Sequence, residues 1–136
     1  MKRIFLLSVF FVLFIAGAAH ADSDRILMEQ STAALGSSAT YTSDTYLVET
    51  FKYLAVTVVS DESSATDGVK IEQSCDSDCD TAVSPTFQYV SQWTYTAGSA
   101  NNQYVAELNC KCARVRYVNG ASAQGSFNIT SYLKLD

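Results

Sequence analysis

From Ser38 onward, apolar and polar residues alternate with a period of two, the spacing of strands with one buried face. In YLAVTVVS, Leu54, Val56 and Val58 share a face; in GVKIEQS, Val69 and Ile71 alternate with Lys70 and Glu72. Phe87, Tyr89, Trp93 and Tyr95 fall on one face of TFQYVSQWTYT. Tyr104, Ala106 and Leu108 alternate with Val105 and Glu107, and Val115 and Tyr117 with Arg114 and Arg116. Phe127, Ile129, Leu133 and Leu135 alternate with Asn128, Thr130, Tyr132 and Lys134. ATYT (39–42) and YLVE (46–49) are shorter strands, whereas residues 22–36 read either as a short helix or as an extended arm. Turn-rich pieces separate the runs, with Asp67-Gly68 and Asn119-Gly120 as the strongest turn signals. Seven or eight strands without a long helix predict an all-β domain: an antiparallel β-sandwich of jelly-roll type.

The amino-terminal stretch breaks this pattern. Met1-Lys2-Arg3 is basic, Ile4–Ala16 carries no charge, and Ala19-His20-Ala21 fits the small-x-small rule for signal cleavage. The apolar run is shorter than the roughly 20 residues of a membrane span, so a cleaved signal peptide over 1–21 is preferred to an uncleaved anchor. A single sandwich domain over 22–136 is then expected, secreted or periplasmic and free of the membrane after cleavage.

Composition sharpens this picture. The 136 residues include 9 basic and 14 acidic side chains, net −5; hydrophobic residues are 48%, which argues against disorder. Loss of residues 1–21 removes Lys2, Arg3 and the single histidine, His20, leaving 115 residues with net charge −7. Such a chain is not expected to grip nucleic-acid phosphates. Without histidine, Ser-His-Asp and Cys-His catalysis and mixed Cys/His zinc sites are excluded from the mature chain. Two-carboxylate glycoside hydrolysis needs only acids; Glu49, Glu72 and Glu107 lie on strands, but none comes with a sign of a pKa-raising pocket. No catalytic residue is assigned.

Cys75, Cys79, Cys110 and Cys112 form an even set, read in an exported domain as two disulfides. A 110–112 bond would strain a very small ring, so both bonds are expected to join the 75/79 segment to the 110/112 segment, with the connectivity between them open. The alternative, four thiolates on a metal, has poor ligand spacing.

Two ligand readings remain. Asp76, Asp78 and Asp80 place carboxylates at alternating loop positions, suited to Ca2+ or simply to solvation. The EF-hand pattern fails at Thr81 and Phe87. Trp93 and Tyr95, with Asn102 nearby, form either part of the core or a stacking platform for a sugar. Asn128-Ile129-Thr130 is a glycosylation sequon whose use depends on the source.

DGVKIEQSCDSDCDT and CARVRYVNGASAQGSF together resemble a strand pair of small β-sandwich modules in phage tail and baseplate proteins, and more loosely discoidin-like, galactose-binding jelly rolls. The resemblance covers about residues 54–135 and rests on strand patterns. It implies that the end of Gly68–Ser74 lies beside the start of Ala113–Val118, with Glu72 facing Arg114 or Arg116. It further implies a non-catalytic binding module or a structural subunit of an extracellular or virion-like assembly. Its partner would be its own kind, a surface protein or a glycan. A secreted lectin-like module is the alternative, and a carboxylate glycosidase a more distant one.

Overall fold

The structure, a computed structural model, describes residues 25–79 and 85–135. The segment read as a signal peptide and Asp80 lie outside them. The described residues form nine strands in two antiparallel sheets. These are β1 (Arg25–Ser31), β2 (Thr40–Thr42), β3 (Tyr46–Leu47), β4 (Tyr53–Ser60), β5 (Ser64–Ser74), β6 (Tyr89–Trp93), β7 (Gln103–Glu107), β8 (Cys112–Asn119) and β9 (Phe127–Lys134). One sheet runs β1-β9-β4-β7; the other runs β2-β8-β5-β6, with β3 also on β8. Strand pairs nest outward from β5–β6 through β4–β7 to β2/β3–β8 and β1–β9. With β2 and β3 as two pieces of one interrupted edge, this is the order of a jelly roll.

The inward positions of the period-two pattern fill the space between the sheets. Leu54, Val56, Val58, Val69, Ile71, Val115 and Tyr117 are all buried, joined by Tyr104, Ala106, Phe127, Ile129 and Leu133. Leu135 departs from the pattern and is exposed beyond the end of β9. Trp93 stacks at a tilt on Tyr104, with ring centroids 5.4 Å apart, and Tyr117 meets Phe127 at 4.9 Å. Such offset ring contacts add stabilisation to the area they bury.

Two expectations are corrected. Asp67-Gly68 is not the turn between strands. It lies within β5, where the register with β8 shifts between Ser64 and Val69 and Asp67 takes φ 53°. The residue pair that favours a tight turn also favours a bulge, because both need positive φ or a missing side chain. Gly68 is required there: a Cβ would lie 2.6 Å from the Val118 carbonyl oxygen. The second correction concerns the aromatic stripe. Tyr89 and Trp93 stand opposite the inward-facing Gln73 and Val69, but Phe87 lies under the Arg114 guanidinium, 3.7 Å from the ring centroid, on the outer side of the sheet.

Residues 25–31 resolve the choice between helix and arm in favour of an extended strand. β1 pairs along β9 and is interrupted by a bulge between Leu27 and Glu29. Glu29 also ties this strand to the other sheet. Its carboxylate accepts hydrogen bonds from the Tyr41 hydroxyl at 2.7 Å, the Asp44 amide at 3.1 Å and the Tyr46 hydroxyl at 3.3 Å. Glu29→Ala strips all three donors of their acceptor and should lower unfolding free energy by about 2–4 kcal/mol in urea titrations. A loss below about 0.5 kcal/mol, the scale of an ordinary surface substitution, would show that water replaces the carboxylate at little cost.

Candidate functional site

The chemistry-bearing residues gather where β5 ends and β8 begins. Antiparallel pairing sets Ser74 against Cys112, Gln73 against Ala113 and Glu72 against Arg114. This register brings the two cysteine pairs together, and the bonds are Cys75–Cys110 and Cys79–Cys112. Each starts in the β5–β6 connection; one ends just before β8, at Cys110, and the other on its first residue, Cys112, with Cα atoms 4.5 Å and 5.4 Å apart. Among the described residues no cysteine is free.

On the outer face of the sheet, Glu72 is only 6% exposed. Its carboxylate accepts a hydrogen bond from Arg114 Nε at 2.7 Å, and Arg116 stands 3.9 Å away. The Arg114 guanidinium also lies over the Phe87 ring. A desolvated carboxylate needs such a partner, and the ring contact completes the shielding. On the inner face, Gln73 bridges the sheets. Its Nε2 donates to the Glu107 carbonyl at 2.9 Å, and its Oε1 accepts the Asn109 amide at 2.8 Å.

Asp76 builds the loop: its carboxylate accepts the Thr86 amide, and its own amide donates to Ser74 Oγ at 3.2 Å. Asp78 is exposed nearby. Among the described residues, no group of three or more His, Cys, Asp or Glu side chains is arranged to hold a metal.

The sugar-platform residues have separate settings. Tyr95 is 3% exposed, and its hydroxyl donates to the Ser60 carbonyl at 2.8 Å while accepting the Ser60 amide at 3.0 Å. Burial leaves it no open ring face. Trp93 is partly buried against the core, and Asn102 lies before β7, its carbonyl accepting the Val58 amide.

Two of the depressions on the surface of the described residues are large enough to matter. One, of 270 Å³, lies on the outer face of the β1-β9-β4-β7 sheet, with Ala55 between Tyr53, Tyr132 and Val105. The other, of 350 Å³, adjoins Cys75 and Cys110 and includes Glu49, which pairs with Lys111 at 2.9 Å. The first is lined by no carboxylate and the second by Glu49 alone, so neither offers the acid pair that glycoside hydrolysis requires.

Sequence reasoning missed Glu29 and Gln73. Neither sits in a motif; each matters because the fold brings distant backbone or hydroxyl donors to it. The only prior signal was a polar residue at an inward strand position, as Gln73 is in VKIEQS.

A sandwich of two antiparallel sheets, fastened across one end by two disulfides, defines a disulfide-bonded all-β domain. The chain belongs to the family described as the N-terminal domain of the uncharacterised protein YqxG, which matches residues 15–134. In structure it is similar to the PBSX exported protein XepA, with TM-score 0.59 and 17% identity. The match covers 82% of this chain and 37% of XepA, so the chain spans little more than a third of that protein. A second similar structure belongs to Bacillus endospore appendages that form disulfide-linked pili; the identity is 13%, with 83% of this chain and 90% of that one covered. Its TM-score of 0.34 is too low to define a shared fold. No curated protein matches the chain in sequence.

Proposed function

We propose that this protein is an exported, non-catalytic structural domain that serves in an extracellular assembly. The observation that carries the reading is the pair of disulfides fastening β5 to β8, since such bonds persist in oxidising compartments and are rare in reducing ones. The fold shared with an exported protein agrees with it. The carboxylates agree as well: Glu72 and Glu49 are engaged by Arg114 and Lys111, and neither surface depression gathers two acids. The leader at 1–21 supplies the export route, and cleavage after Ala21 leaves a domain that starts at Asp22.

The test is expression of the full chain in a bacterial host, fractionation, and intact mass spectrometry without reduction. The expected product lies outside the cytoplasm and begins at Asp22. Its mass is lower than that of the fully reduced form by about four hydrogens, two per disulfide. A chain held in the cytoplasm with four alkylatable thiols would overturn the reading.

A further inference from the structure

A β-sandwich has four strand edges to protect from pairing with other chains, and charges, bulges and short strands are the usual means. Three of the edges here carry such protection. β1 has Arg25, Glu29 and a bulge. The β2/β3 edge consists of strands of three and two residues, broken at Ser43, whose hydroxyl rather than its carbonyl accepts the Val115 amide. β7 ends at the charged Glu107, whose carbonyl is already bound by Gln73.

β6 is different. Its five residues, Tyr-Val-Ser-Gln-Trp, include no charge, proline or glycine. It pairs with β5 on one side, and no described strand lies on the other. Tyr89 is 57% and Val90 46% exposed. A five-residue strand containing Tyr, Val and Trp, with no described strand along one edge, is a template for strand addition.

We propose that β6 is the assembly edge of this protein, and that its partner is β6 of a second copy, paired antiparallel about a twofold axis at Ser91. This names the partner that the assembly reading leaves open and rests on that reading for its role alone. The charge distribution favours a second copy as occupant. Without residues 1–21 the chain is net −7, so most self-contacts bring like charges together, whereas β6 carries no charged side chain of its own and the one carboxylate it holds, Asp67, is bound by Gln92 at 3.2 Å. A twofold axis through Ser91 sets Val90 of each copy opposite Gln92 of the other and Tyr89 opposite Trp93. Such an isologous contact closes as a dimer.

The experiment is sedimentation equilibrium of the exported, oxidised protein and its variants. The wild type is expected to dimerise reversibly. Val90→Glu should weaken the dimer at least about tenfold, since it buries an unpaired charge against the partner's glutamine. Adding Gln92→Lys to Val90→Glu should restore it, because the axis sets the two new charges opposite each other across the interface. Val105→Glu, at a comparably exposed position on β7, should leave the dimer unchanged. Thermal melts establish that each variant is folded, and Gln92→Glu repeats the test from the other side of the axis. A wild type that stays monomeric up to about 1 mM overturns the proposal, as that is the weak end of specific association. So does a dimer indifferent to Val90→Glu, or one that Val105→Glu weakens equally. A monomer that is still exported and oxidised overturns the edge assignment and leaves the export reading standing.

Discussion

Reduction of both disulfides should lower the melting temperature by more than about 15 °C, at roughly 4 °C per kcal/mol for a domain of this size. The Cys75–Cys110 bond spans 35 residues, and closing such a loop stabilises by about 4 kcal/mol through the entropy it removes from the unfolded chain. Cys79–Cys112 spans 33 residues but lies beside the first bond. Once Cys75–Cys110 exists, only a few residues remain to be closed, and the second bond adds about 2 kcal/mol. The total is a large part of the roughly 5–15 kcal/mol available to a domain. The two loops interleave and share residues 79–110, which makes the bonds partly redundant: either single removal, as paired Cys→Ser variants, should cost less than half of the double removal by about 1 kcal/mol or more. Differential scanning calorimetry of the oxidised, singly bonded and reduced forms measures this. A reduced form melting within a few degrees of the oxidised one would mean that the β5–β8 register holds without its fasteners.

Raising the pH through 10 to 12 should unfold the protein by way of its tyrosines. Burial is the largest cause in each case. It pushes Tyr117 up to about 12 and holds Tyr41, Tyr46 and Tyr104 above the ordinary phenol range. At Tyr41 and Tyr46 the Glu29 carboxylate adds to the shift. Between pH 10 and 12 the unfolded chain has lost the Tyr117 proton while the folded chain keeps it. The unfolded state binds fewer protons, so stability falls as pH rises. Tyr117 alone removes about 3 kcal/mol across that window, and the others act in the same direction. The part of the 295 nm absorbance change that belongs to Tyr41, Tyr46, Tyr104 and Tyr117 should therefore appear together with the loss of near-ultraviolet circular dichroism, in one cooperative step. Ionisation of all eight tyrosines with the dichroism unchanged would contradict the burial of these four.

The sheets were legible in the sequence wherever a strand shows water one face and the core the other. Leu54, Val56 and Val58 on β4, and Val115 and Tyr117 on β8, announce themselves by period alone. β1 could not be read that way. Its side chains are mostly exposed, so the helix and strand readings of ILMEQS were equal until β9 supplied a partner. The cysteines told which segments meet, because ring strain forbids the 110–112 bond. They could not tell Cys75–Cys110 from Cys75–Cys112, since that choice depends on the β5–β8 register. The Glu72–Arg114 pair followed from the strand pairing that the family resemblance implied. Trp93 and Tyr95 look alike in sequence as core or as binding platform, and only the depth of Tyr95 between the sheets separates the two. Glu29 was invisible because its three donors lie 12–17 residues away across a change of sheet.

β9 is the strand on which the first sheet depends: β1 lies along one side of it and β4 along the other. Of the nine strands it is also the last to be synthesised. While the chain emerges from the ribosome, β4 can pair with β7, but β1 and β4 have no common neighbour until residues 127–134 arrive. The four-stranded sheet therefore closes last, by insertion of β9 between two strands made long before it, and folding waits on contacts of high sequence separation.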